Sequence, residues 1–285
     1  MHMTWILYAL LALCLFVIYD LASRRIAVRS ENPQVFAAIY GLFVALMAPI
    51  LFFLDPSLPT GMTPQVIGIT IFGLIIWGLF GRFEYFARAN TEASVFSIIL
   101  KLAPVLNFFL SLVVLGESWS PNKLIGIFII ILANLMLFIG TKREGVVSNK
   151  GLFYSLLVSA LLAVGWLFDT INVKSWGVGV FSIMSFLVVT LVSSFFPRIT
   201  LAGIKRELSL TPWYEIFVLG FFNLLGYGFL LKALMIGEAS RIIPITSSST
   251  PFVVLFGIIL LGERKNIIRK VVASFLAVLA IYLMR

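Results

Sequence analysis

Lys101 is the first residue in this sequence whose position demands a chemical reason. It stands three residues before Pro104 inside an apolar run, about 12 Å from the start of that run at 1.5 Å of rise per helical residue. An ammonium at that depth in an apolar helix is costly to bury, so it faces a polar interior, a partner or a ligand. Ser94, Ser97, Lys101 and Pro104 recur at spacings of three and four, which places them on one helical face. Ser97 and Lys101 therefore read as solute-binding groups on the wall of a pathway. The alternative is a structural ion pair between Lys101 and Asp20, Glu84 or Glu92.

Counting back from a second proline, Pro251, the counterpart of Lys101 is Ser248, inside the run Thr246-Ser247-Ser248-Ser249-Thr250. Five consecutive hydroxyls are more than one packing seam needs. Proline also removes a backbone donor and frees the carbonyl four residues upstream, and freed carbonyls within apolar helices are places where polar solutes bind. Ser247 and Ser248 join the candidates. The competing reading is that such hydroxyls bond back to their own helix or glue neighbouring helices together.

Two further segments carry Trp77, Glu84 and Tyr85, and Asn223, Tyr227 and Lys232. Trp77, Asn223 and Tyr227 are candidate solute contacts, although an aromatic in a chain with 27 Phe can equally pack against lipid or a neighbour. Asp20 precedes Arg25 by five residues and Asp169 precedes Lys174 by five. With Glu84 and Glu92 they form the set for gating or proton coupling, unless they are solvated charges at helix ends. Glu117 and Glu263 each close a tight Gly-Glu turn and read as structural.

What is missing narrows the chemistry. There is no GxxxxGK[ST] segment to hold nucleotide phosphates and no HExxH. The only cysteine is Cys14 and the only histidine is His2, so no disulfide, metal cluster or Ser-His-Asp arrangement is expected. No cofactor is expected, and catalysis has no nucleophile and base to work with.

These residues need elements to position them. The chain is 61% hydrophobic and 12% charged, with a mean hydropathy of +1.10, against roughly 25% charged residues in soluble domains. That composition predicts an all-α integral membrane protein, because about 20 apolar residues cross the hydrocarbon layer. Ten transmembrane helices are expected, near 4–21, 34–54, 64–86, 93–115, 121–140, 151–170, 178–197, 212–235, 239–261 and 266–284. The net charge of +9 sits singly or in small groups at helix ends, which reads as topology and not as a nucleic-acid surface.

The sequence is also written twice. Glu92-Ala93-Ser94 returns 146 residues later as Glu238-Ala239-Ser240, and Leu115-Gly116-Glu117 returns at the same offset as Leu261-Gly262-Glu263. At this offset Trp77 corresponds to Asn223 and Gly81 to Tyr227, unlike chemistry that suits an asymmetric solute. A period of half the chain means two homologous units, expected at 1–142 and 150–285. An odd number of spans in each forces them into opposite orientations, giving two inverted five-helix repeats. Fourteen Lys and Arg fall on the odd-numbered loops and four on the other side, which puts the odd loops in the cytoplasm and both termini outside. A cell inner (plasma) membrane location follows from this reading.

The repeat of an alanine-rich helix entry, a mid-helix proline and a Leu-Gly-Glu exit resembles the EamA repeat of the drug/metabolite transporter superfamily. The resemblance rests on Lys232-Ala233-Leu234, Gly237 to Ser240, Pro244, Pro251 and Leu261-Gly262-Glu263-Arg264, matched in the first half by Ala93-Ser94, Pro104 and Leu115-Gly116-Glu117. It implies ten helices, alternating access and secondary transport of a small metabolite, often outward. Members are commonly drawn with both termini in the cytoplasm, opposite to the charge count. The resulting expectation is an exporter of a small polar metabolite such as an amino acid, with a midplane site between the repeats and possible proton coupling. A carrier of an anionic or phosphorylated metabolite is the alternative that Lys101, Lys232 and Arg241 favour. Of another class is a lipid-modifying membrane enzyme or a non-transporting scaffold, which would leave the hydroxyl run without a purpose.

Overall fold

The computed structural model describes residues 4–27, 29–91, 96, 99–138, 149–194, 199–249, 251–253 and 267–284. Among these residues the regular structure is helical, without strands. The first half contains α1 (Thr4–Ala27), α2 (Pro33–Met47) continued by a 3₁₀ segment (Ala48–Phe53), α3 (Pro64–Asn90), α4 (Leu102–Val114) and α5 (Pro121–Phe138). The second contains α6 (Asn149–Trp176), α7 (Val178–Ser194), α8 (Leu201–Leu210), α9 (Trp213–Ile236), α10 (Ala239–Thr246) and α11 (Ile267–Met284).

Local chemistry fixes many of the ends. Asn32 and Thr63 cap α2 and α3 by accepting from Val35 N and Val66 N, each followed by proline at the first helical position. Among the described residues, five segments are long and apolar enough to cross a membrane: Thr4–Ser23, Val35–Phe53, Pro64–Glu84, Asn149–Trp176 and Trp213–Ile236. Leu102–Val114, Pro121–Met136, Val178–Val192 and Val271–Met284 are shorter apolar helices. Their outer faces carry exposed Leu46, Phe53, Val113, Phe128, Phe153 and Phe275, as lipid requires. Small residues line the contacts between helices, where they let backbones approach: the Cα of Gly126 on α5 packs on Met284 and on the Ala280 carbonyl of α11.

The principal helix pairs obey the repeat. α1 packs along α9 and α3 along α6, while α2 meets α7, α4 meets α10 and α5 meets α11. Exchanging the halves turns the α1–α9 pair into the α3–α6 pair and leaves the α2–α7 and α5–α11 pairs unchanged. Direction is legible from end contacts: Trp5, at the start of α1, lies against Gly237 just after α9, and Asn90 and Thr91, at the end of α3, lie against Gly151 and Ser155 at the start of α6. Both pairs are antiparallel.

Two expected spans are interrupted. The helix expected at 93–115 has Lys101 at a non-α turn before α4 begins, and the one expected at 239–261 leaves α-geometry at Ser247-Ser248. The physical reason is the proline that follows each break, which cannot donate to the previous turn. The segment between α7 and α9, expected as a loop, carries the short helix α8, capped by Thr200 accepting from Gly203 N and stopped before Pro212.

Candidate functional site

The first polar centre forms where the two broken helices meet. Pro251 leaves the carbonyl of Ser247 without its helical donor, and the Lys101 ammonium donates to that carbonyl at 3.3 Å. Lys101 and Ser247 stand 146 residues apart, the offset of the Glu-Ala-Ser and Leu-Gly-Glu signatures, whereas counting back from the prolines pairs Lys101 with Ser248, so the contact joins the two breaks to within one residue of register. Of the described carboxylates weighed for Lys101, Asp20 on α1 acts on it by its charge. Asp20 in turn accepts from the Ser249 hydroxyl at 3.1 Å. Lys101, Asp20, Ser247 and Ser249 all remain partly exposed.

The other hydroxyls of the run are spent differently. Thr246 bonds back to the carbonyls of Ile242 and Ile243, and Ser248, fully buried, donates to the Ile245 carbonyl at 2.6 Å. Ser248 therefore stabilises the break itself, while the Ser247 hydroxyl is buried without a hydrogen bond. Ser97 and Glu92, with Ser94, Thr250 and Glu263, lie outside the described residues. Glu84 sits partly buried on α3, about two turns beyond Trp77.

The second centre gathers around Asp169, which is 0% exposed. The Trp77 indole donates to Asp169 Oδ1 at 2.8 Å, and Tyr227 interacts with the same carboxylate from α9. Gly165, one turn before Asp169, makes this possible: a Cβ there would stand 2.9 Å from the Trp77 ring. Tyr227 also reaches Ser185 on α7 at 3.5 Å. The spacing that suggested a pair between Asp169 and Lys174 is not used among these contacts, because the helix continues to Trp176 and keeps Asp169 inside the bundle. Asn223, one turn before Tyr227 on α9, faces Tyr40, which in turn meets Tyr19 beside Asp20. Sequence reasoning missed both tyrosines, since nothing in their spacing sets them apart from packing aromatics.

The match to known proteins extends over the same two units. The family described as EamA-like transporter matches residues 3–139 and again 149–285. The chain belongs to the EamA-like transporter family. It is 30% identical over 214 residues to an uncharacterized transporter of Archaeoglobus fulgidus, a match covering 72% of this chain and 70% of that protein. A solved structure, described only as a crystal structure of a protein, superposes with a TM-score of 0.76 over 98% of this chain and 96% of its own, at 15% identity. That likeness is one of fold. Family membership makes this a multi-pass membrane transporter and points away from catalysis.

In this EamA-like transporter the repeated sequence signatures meet across the halves. Glu117, from the Leu-Gly-Glu turn of the first half, accepts from Ala239 N at 2.6 Å and Ser240 N at 2.9 Å, in the Glu-Ala-Ser signature of the second. It thereby caps α10, whose far end is the Ser247 break. Gly116, at φ +65, supplies the left-handed turn that aims the carboxylate. Beside it Lys123, 1% exposed, pairs with Glu238 at 2.8 Å, and Glu238 also holds Arg241 at 2.9 Å.

Lys232 is likewise committed. It pairs with Asp55 at 3.3 Å, and Asp55 Oδ2 accepts from Ser57 and from Val178 N, capping α7. Burial acts to raise the Asp55 pKa, but the Val178 N–H, the Ser57 hydroxyl and the Lys232 ammonium outweigh it and hold the carboxyl below its ordinary value. At Glu238 burial again acts upward and is outweighed, here by hydrogen bonds from Lys123 and Ser118. Asp55 was not among the residues singled out from sequence; Asp-Pro-Ser between two apolar runs reads as an ordinary turn.

Proposed function

We propose that this transporter is a secondary active exporter of a small polar metabolite such as an amino acid, working by alternating access to a midplane site between the repeats. The observation that carries the reading is the contact of Lys101 with the carbonyl of Ser247, beside its proline-counted counterpart Ser248, at the point where both helices are broken. A partly exposed ammonium between the halves is suited to a solute carboxylate, and rocking one half against the other would present it to either side. Trp77, Asn223 and Tyr227 complete the wall, with Ser97, Ser247 and Ser248 on the broken helices. The antiparallel packing of α1 on α9 and of α3 on α6 supports ten spans arranged as two inverted five-helix repeats, 1–142 and 150–285. The charge count supports a plasma-membrane orientation with the odd loops cytoplasmic.

With no nucleotide-binding motif, the driving force is a proton gradient, with the partly exposed Asp20 and the buried Asp169 as carriers and Glu84 and Glu92 as further groups for coupling. A carrier of a phosphorylated or otherwise anionic solute is the second reading, and Lys101 favours it. Lys232 and Arg241 do not add to it, since they are paired with Asp55 and Glu238. Flux into proteoliposomes across a panel of amino acids and phosphorylated metabolites, with and without a protonophore, tests both. Flux of a zwitterionic solute that collapses with the gradient is expected; gradient-independent exchange of phosphate esters would replace the first reading with the second.

A further inference from the structure

We infer that Asp169, with Trp77 and Tyr227, forms a subsite for an organic ammonium group, so that the transported solute is an amine held by this carboxylate. The inference rests on the transport reading above and names the chemistry of one end of its solute. Asp169 is wholly buried, and its Oδ1 is bound by the Trp77 indole. Among the described residues its Oδ2 makes no hydrogen bond, and the groups that act on the carboxylate are the Trp77 indole and the Tyr227 phenol, with no lysine or arginine.

The aromatic wall is extensive. Phe80 meets the Trp77 ring edge-on at 5.4 Å, and Phe186 meets Tyr227 edge-on at 5.3 Å. These edge-on contacts fix the orientation of both rings. Trp77 and Tyr227 are themselves partly exposed, so ring surface remains for a ligand. A buried carboxylate oxygen without a hydrogen bond, beside an indole and a phenol, is the chemistry that pairs with a desolvated ammonium, and aromatic rings close by can add cation–π attraction to the ion pair. Lys101 offers the opposite charge in the other centre.

The test is ligand-dependent thermal stabilisation of the purified full chain in detergent. The probes are two matched sets: phenylalanine, phenethylamine and 3-phenylpropionate; and leucine, isoamylamine and 4-methylpentanoate. Asp169→Asn removes the charge while its amide oxygen still accepts from the Trp77 indole, so the variant is expected to fold; Asp169→Glu restores the charge. The amines should stabilise the wild type and Asp169→Glu, and should also stabilise Lys101→Ala, but should shift Asp169→Asn at least tenfold less well in apparent affinity. The acids should show the reverse dependence on Lys101. Amines that stabilise Asp169→Asn as well as the wild type, or that fail to stabilise the wild type at all, overturn the subsite. If the acids still depend on Lys101 in that case, the transport reading stands without it; if the acids ignore Lys101 while the amines depend on Asp169, the Lys101 site fails and the subsite survives.

Discussion

Asp20 and Asp169 are the same side chain near the same place in the first helix of each half, and the bundle treats them oppositely. Asp20 faces a cation, Lys101, and a hydroxyl, Ser249, both on the broken helices. Asp169 faces an indole, a phenol and no cation among its described neighbours. The repeat explains part of this. The position that repeats Asp20 is Trp166, and Asp169 stands three residues further on, almost a full helical turn. The duplication therefore preserved the scaffold, in which equivalent helices pair and equivalent breaks touch, while the charges that line it diverged.

Stability measurements separate the two carboxylates. Asp20→Ala removes the charge that acts on Lys101 and the acceptor of the Ser249 hydroxyl, and should cost roughly 1 to 3 kcal/mol. Asp169→Asn strands nothing and should cost under about 1.5 kcal/mol. Equal losses in thermal melting would mean that the two centres do not differ as described.

A smaller effect is expected from the tie between the repeat signatures. Glu117→Ala removes both acceptors from the first turn of α10 and should cost about 1 to 2 kcal/mol. Glu117→Gln should recover part of that, because one amide oxygen still accepts. No change in melting temperature would show that α10 does not depend on its cap.

The pH dependence comes next. Asp55 and Glu238 are held below their ordinary values of 3.8 and 4.5. A carboxyl lowered in the folded state contributes stability that is complete above its ordinary value and lost as pH falls through the lowered one. Melting temperature should thus fall between about pH 5 and pH 3, and the fall should be shallower in Asp55→Asn. A profile unchanged by that substitution would remove Asp55 from the account. Least of all should matter the exposed pair Arg29 and Glu215, where breaking the contact should cost less than about 1 kcal/mol.

Much of the fold was legible because hydrophobic length and a repeated signature are local properties of the chain. Lys101 stood out because an ammonium in an apolar helix has few explanations, and the two prolines announced the breaks. The partner of Lys101 was not legible as one answer: Asp20, Glu84 and Glu92 were all open, and the choice depends on α1 crossing the broken helices. Asp169 was noticed for its spacing from Lys174, whereas its environment comes from α3 and α9, which pack beside α6 only in the folded bundle. Asp55, Tyr19 and Tyr40 carry no pattern at all, since their roles exist only through contacts between distant segments.

The central claim is that Lys101 binds solute at the meeting plane of the halves and is not there merely to satisfy Asp20. Counterflow in proteoliposomes, measured for Lys101→Ala, Asp20→Ala and the double variant alongside their melting temperatures, tests it most directly. Removing both should restore part of the stability lost by Asp20→Ala, since no ammonium then faces the missing charge, while transport stays absent in every variant lacking Lys101. If the double variant regains transport together with stability, Lys101 is a structural counter-ion and the solute is held elsewhere.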